Sequence, residues 1–233
     1  MTPGTDIKTS SSDALRASPR LFDNDLLDKL SRVHHLTPVV LYTPIILWLA
    51  MSAWRQQGAG PVLVWFLLGL VAWSLTEYLG HRFLFHTIFA LPFGMGPRLQ
   101  FLIHGVHHIH PNDPKRLVMP PLLSAPIMLA ACAVIRLLLG GDATWPVLAG
   151  FMSGYVGYDC VHYWVHHGRP RSRVGRYLRL LHMRHHFRDP ARNFGVLAVW
   201  WDRLLGTAAR GHGTGGKTSC KQINSVQRED IRT

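Results

Sequence analysis

Histidine is the residue type whose spacing in this chain points to chemistry. His162 and His166 stand four apart, one helical turn along one face. His182, His185 and His186 follow at i, i+3, i+4, a spacing that lets three imidazoles face one point. Upstream, four residues separate His81 from His86, and His104, His107 and His108 repeat the i, i+3, i+4 pattern. A neutral imidazole is the commonest metal ligand in proteins. One such pair is a weak signal, because a lone histidine at the end of an apolar helix is more often an interfacial or hydrogen-bonded residue. Ten in four clusters, interleaved with membrane-length apolar runs, are a strong signal. Ten imidazoles are too many for one ion and suit two.

The elements that must position them follow from composition. The 233 residues allow one domain with tails, and only 16% are charged. A soluble domain carries about 25%, so the deficit marks apolar runs. The formal charge of +12 could suit nucleic acid, but beside membrane spans it fits anionic lipid headgroups better. A nucleic-acid binder also gives no reason for the spans, so no nucleic-acid partner is expected. Cys132, Cys160 and Cys220 have no paired spacing, so no disulfide scaffold is implied.

Residues 1–20 are polar and lack the apolar core of a secretory signal, so they are expected to form a disordered arm. Residues 21–35 read as a short amphipathic helix at the membrane surface, with His34 and His35 interfacial. Four apolar runs of spanning length follow, at about 37–54, 61–80, 118–139 and 145–165. Their short linkers pair them into two hairpins. Gly150 and Gly154, with Gly157 one turn on, allow close helix packing in lipid. A cap helix is expected over 174–186, and residues 193–196 and 200–207 return the chain to the site. Residues 208–233 read as a polar tail in which His212 is solvated. Lys and Arg concentrate in the arm, in the 81–117 loop and in the C-terminal part, where fourteen of the 25 lie at or after position 166. The positive-inside rule then places both termini and all ten clustered histidines in the cytoplasm.

With these stretches assembled, the chain resembles the membrane fatty acid 2-hydroxylases of the fatty acid hydroxylase/sterol desaturase superfamily. The resemblance is carried by Glu77 through His86 (EYLGHRFLFH), by His104 to His108, by Pro111-Asn112-Asp113 and by Arg116 through Pro121 (RLVMPP). It continues through Tyr158-Asp159, His162-Tyr163, His166-His167-Gly168, His182 to Phe187, Asn193-Phe194-Gly195 and Trp201-Asp202 to Thr207, covering roughly residues 18–207. It implies an all-α integral membrane protein: a four-helix transmembrane base capped by a cytoplasmic helical domain, with a dimetal centre between them. It implies the ligands His81, His86, His104, His107, His108, His162, His166, His182, His185 and His186, with His110 and His167 surplus. Many eukaryotic relatives carry a fused cytochrome b5-like domain. Only about 36 residues precede the first span here, so electrons are expected from a separate cytochrome b5-like or ferredoxin-like protein, and a bacterial inner membrane is favoured over endoplasmic reticulum.

The implied reaction adds a hydroxyl at C2 of a fatty acyl chain, free or in a lipid such as ceramide, with O2 as co-substrate. Oxidising an unactivated C–H bond needs metal chemistry. Two iron ions suit it, and zinc, which has no redox chemistry, can replace them in purified protein. Helical geometry makes Glu77 (i−4 to His81) and Asp159 (i−3 to His162) candidate partners for the outer nitrogens of ligating histidines, with Asp202 a third. A sterol desaturase or oxidase, or a carotenoid hydroxylase, would share the same histidines. A metal transporter would place ligands along its spans near mid-membrane, not on one side.

Overall fold

The structure, a computed structural model, describes residues 11–88 and 90–209. Every element among them is helical: α1 (Ser11–Arg16), α2 (Asp25–Leu30), α3 (Thr37–Gln57), α4 (Ala59–Leu79), α5 (Met95–Gln100), α6 (Val106–Ile109), α7 (Pro121–Leu139), α8 (Thr144–His167), α9 (Arg173–Phe187) and α10 (Trp200–Leu204). Two π-helical segments, Gly80–Phe85 and Phe101–Gly105, extend α4 and precede α6.

A long helix stands at each of the four apolar runs, with shifted ends. The chain breaks between α3 and α4 at a single glycine, Gly58, whose φ of 78° suits a residue without Cβ. α7 begins at Pro121, where the missing N–H costs nothing, and ends at Gly140 with φ of 60°. By length and apolarity, three helices suit a membrane crossing among the described residues: Thr37–Gln57, Ala59–Phe85 and Pro121–Leu139. Their outward side chains, such as Trp48, Val64, Leu129 and Leu137, are exposed. In water such a surface would be an aggregation liability; in lipid it is the required one.

α8, the expected fourth span, is different. It is long enough, at 24 residues, but is not among the helices apolar enough to cross a membrane, and most of its N-terminal two-thirds is buried against the other three helices. A helix enclosed by protein needs no continuous apolar surface, which is why Thr144, Ser153 and several glycines are tolerated in it. α3, α4 and α7 surround it through a core of Tyr42, Leu49, Trp73, Met128, Leu148, Phe151 and Tyr155. Tyr42 Oη and Ser124 Oγ lie 2.8 Å apart, pairing polar groups that lipid could not satisfy. The glycines set the spacing. A Cβ on Gly150 would lie 2.0 Å from the Phe66 carbonyl oxygen, and one on Gly69 would lie 2.1 Å from that of Val147. The two helices thus meet backbone to backbone.

The N-terminal region departs from expectation. Residues 11–20 do not form a loose arm. The Leu15 carbonyl accepts from Asn112 N at 3.0 Å, and the Ala14 carbonyl meets His110 Nδ1 at 2.7 Å. The Arg116 guanidinium, nearly inaccessible, reaches the Pro19 carbonyl and an Asp28 carboxylate oxygen at 2.9 Å. Arg32 bonds the other Asp28 oxygen at 3.0 Å and also reaches Ser18. The segment's polarity suggested disorder, but its Ser18 and Pro19 carbonyls accept from the half-buried Arg32 and from the Arg116 side chain. The amphipathic helix expected over 21–35 shortens to α2, capped by Asn24 accepting from Leu27 N. The tail from residue 210, with His212 and Cys220, lies outside the described residues.

Gly150→Ala is expected to separate α4 from α8, an overpacking that costs about 1–3 kcal/mol or more. Thermal denaturation of the detergent-solubilised variant should show a lowered midpoint; an unchanged midpoint would mean that the close approach is not needed.

Candidate metal centre

The histidines meet at the end of α8, in two groups. His81, His86, His104, His108 and His185 form one; His107, His162, His166, His182 and His186 form the other. Within each group one nitrogen from every ring lies within 4.8 Å of the rest. The groups adjoin, with the rings of His108 and His186 only 4.3 Å apart.

Local helix geometry decides the sorting. In an α-helix, residues five apart point about 140° away from each other. The Gly80–Phe85 segment is instead π-helical, and its i→i+5 bonding brings His86 back over His81, ring centroids 5.0 Å apart. His104, at the end of the second π segment, and His108 join the same group, while His107 turns to His162 and His166 at 4.7 and 4.8 Å. On α9, His182 and His186 face the second group and His185 the first. The i, i+3, i+4 triplets therefore do not converge on one point. Neighbouring residues diverge by about 100° around a helix, so each triplet straddles both groups.

The donor set fits a cation in each group. Nε2 atoms approach one another at 3.0 Å in the first (His81–His104 and His108–His104) and at 2.8 to 3.1 Å in the second. Ligands about 2.0–2.1 Å from one ion stand roughly 2.9–3.4 Å apart. Burial holds His86, His104, His107, His108, His182 and His186 below the ordinary imidazole range, with neighbouring histidines adding to it. Burial also takes His185 to about 4. At neutral pH these rings carry no proton that a metal would have to displace, and their lone pairs are available.

The remaining histidines are used elsewhere. His167 stacks on Tyr163 at 4.4 Å, which also stacks on His35 at 4.1 Å, and His110 binds the N-terminal region. The acids do not take the roles expected of them. Among the described residues, Glu77 has no hydrogen bond to a histidine. Its Oε1 accepts from the backbone N–H groups of Val196, Leu197 and Ala198 at 2.8, 2.9 and 3.4 Å. Asp202 accepts from Phe194 N, Gly195 N and Thr207 Oγ1, and burial raises its carboxyl above the usual range against those bonds. Asp159 does not pair with His162. Its Oδ2 and His162 Nδ1 are both buried without a hydrogen-bond partner among the described residues.

The residues that do hold histidine rings were missed by sequence reasoning, because they act through the backbone. The Phe194 carbonyl accepts from His81 Nδ1, and the Arg192 carbonyl from His185 Nδ1 at 2.8 Å. Between them Asn193 takes a left-handed conformation, φ 57°, which asparagine tolerates better than most residues. The Phe194 ring packs on His81, His86 and His185 at 5.5–5.8 Å.

Residues 66–207 match the family model described as fatty acid hydroxylase. The chain is 32% identical over 190 residues to dihydroceramide fatty acyl 2-hydroxylase FAH2 of Arabidopsis thaliana, covering 81% of this chain and 79% of the relative. It is 34% identical over 210 residues to fatty acid 2-hydroxylase of Homo sapiens, covering 81% of this chain and 56% of that protein. Among solved structures it resembles full-length scs7p, in which only the hydroxylase domain is visible, with a TM-score of 0.76 and 31% identity over 81% of this chain and 71% of the other. The eukaryotic sources of the first two weigh against the bacterial inner membrane expected above.

Each purified chain is expected to carry two metal ions by elemental mass spectrometry. His104→Ala and His107→Ala should each lower the content to one, since they remove a ligand from different groups. Loss of both ions from either single variant would mean one shared site.

Proposed function

Because the chain belongs to the fatty acid hydroxylase family, we propose that it adds a hydroxyl at C2 of a fatty acyl chain, free or in a lipid such as ceramide, using O2 at a di-iron centre. The observation that carries this reading is the pair of adjoining five-histidine groups at the cap end of the membrane helices. In the reaction a C2–H becomes C2–OH with one atom of O2, and the other leaves as water after two electrons and two protons enter. We assign the electrons to a separate carrier, cytochrome b5-like or ferredoxin-like.

His81, His86, His104, His108 and His185 would hold one ion, and His107, His162, His166, His182 and His186 the other. Iron bound there supplies the redox chemistry of O2 activation and C–H oxidation, which no side-chain acid or base provides. The chain's own contribution is placement. Neutral, buried imidazoles offer nitrogen without bringing protons into the site. The Phe194 and Arg192 carbonyls fix the tautomer of His81 and His185 by accepting from Nδ1, which leaves Nε2 free to bind. Phe194 closes one wall against water. The lipid-facing helices keep the acyl substrate within reach of the cap.

The orientation we propose has both termini and the histidines on the cytoplasmic side. It is supported by the arginine and lysine distribution and by the pairing of the two hairpin turns, where Gln57 Nε2 donates to the Asp142 carbonyl at 2.8 Å. Accessibility tags at residues 57 and 142 are then expected on the outer face and tags at residues 1 and 233 in the cytoplasm. A cytoplasmic readout at 142 would overturn the arrangement.

Zinc binds a given nitrogen site more tightly than ferrous iron, so purified protein can fold around two zinc ions and be inactive. Protein loaded with iron alone, given O2, a reductant chain and acyl lipid, is expected to yield 2-hydroxyacyl product that carries label from O2. Equal turnover by the zinc form, or label arriving from water, would refute the oxygenase reading.

A further inference from the structure

The two histidine groups are built from the same ligand type but are not held alike. In the first, two of five rings are fixed from outside. His81 Nδ1 and His185 Nδ1 are held by the Phe194 and Arg192 carbonyls. Those carbonyls are themselves held. Glu77 gathers the N–H groups of Val196, Leu197 and Ala198, and Asp202 gathers those of Phe194 and Gly195. Glu77 lies one turn before His81, so the loop is pinned to the helix that supplies the ligand. In the second group the Nδ1 atoms of His162, His166, His182 and His186 are all buried, and none meets a protein hydrogen-bond partner among the described residues.

A ligating histidine whose outer N–H is held has a fixed tautomer and ring direction and is a more basic ligand. Rings without such a partner must spend binding energy on ordering themselves. We infer that the two metal positions differ in affinity. The group of His81, His86, His104, His108 and His185 is the tight position. The group of His107, His162, His166, His182 and His186 is the exchangeable one. Glu77 and Asp202 are positioning residues for the tight position alone, acting through the 192–198 backbone. The inference rests on the two-ion reading above. Loss of such outer partners weakens metal binding by about 10–100-fold, and the gap between the two positions should be of that order.

The experiment uses full-length protein in detergent, loaded with zinc alone and dialysed against rising concentrations of a chelator, with bound zinc counted at each step. One equivalent is expected to leave early and the second only at about 10–100-fold more chelator. The His104→Ala protein, which keeps only the second group, should release its ion at the early step, and His107→Ala at the late one. Glu77→Gln and Asp202→Asn should move the late step toward the early one and leave the early one in place. If Glu77→Gln does not fold, Asp202→Asn carries the same test, and the two-step release of the unaltered protein needs no variant. Simultaneous release of both equivalents, or an equal shift of both steps in the variants, would overturn the inference and leave the two-ion reading intact. Failure of the unaltered protein to bind zinc at all would overturn both.

Discussion

The arrangement depends on one face of α4. Ser74, Glu77, Tyr78 and His81 fall at i, i+3, i+4, i+7, a single stripe near the cap end of the helix. Each grips the segment that follows α9. Ser74 Oγ accepts from Trp201 Nε1 at 3.1 Å, Glu77 takes the three amides of residues 196–198, Tyr78 Oη meets Thr207 Oγ1 at 2.9 Å, and His81 donates to the Phe194 carbonyl. The segment is separated from α4 by more than a hundred residues, so this stripe fastens the cap to the membrane base. An unfastened segment would free the rings of His81 and His185 and uncover them, since Phe194 packs on both. A buried carboxylate is costly unless its lone pairs are used. Asp202 turns both oxygens, and Glu77 its Oε1, to backbone amides that irregular chain leaves without partners, while Glu77 Oε2 is buried without a partner among the described residues.

The membrane imposes a second constraint, which falls on α8. It must reach the histidines from the centre of the bundle, carrying His162 and His166 at its end. Enclosure by α3, α4 and α7 lets its sequence serve packing and ligation instead of lipid contact. The backbone contacts at Gly69 and Gly150 keep α4 and α8 close. They thereby fix the distance between His81 at the end of one helix and His162 on the other. Packing deep in the base and ring positions in the cap are in this way one problem.

Much of this was legible in the sequence. Apolar runs marked the long helices, the glycines of α8 marked close packing, and the histidine spacing marked clusters that gather into two groups able to hold a metal ion. Three features were not. The HRFLFH spacing looks wrong for an α-helix, and the π-helical Gly80–Phe85 segment is what reconciles it. The ordering of residues 11–20 was hidden because composition records side chains, whereas this segment meets Arg116 and Arg32 partly through the Ser18 and Pro19 carbonyls. The roles of Glu77 and Asp202 were hidden for the same reason. Spacing along one helix suggests side-chain neighbours such as Glu77 and His81, but a carboxylate has competing partners in any backbone that packs beside it.

The sorting of ten histidines into five and five also explains why the clusters have the form they do. A triplet at i, i+3, i+4 cannot aim all its rings at one ion, because the last two diverge by about 100°. Placed between two ions, the same triplet bridges them. His107 and His108 go to different positions, as do His185 and His186. Two adjacent histidines on each of two cap helices would therefore hold two metal ions at a fixed separation, with no carboxylate in either group among the described residues. A shift of α6 or α9 would disturb both positions together, whereas a change at Glu77 or Asp202 would reach only the one whose outer nitrogens the 192–198 loop holds. Geometry along a helix couples the two positions, and hydrogen bonding around the rings distinguishes them.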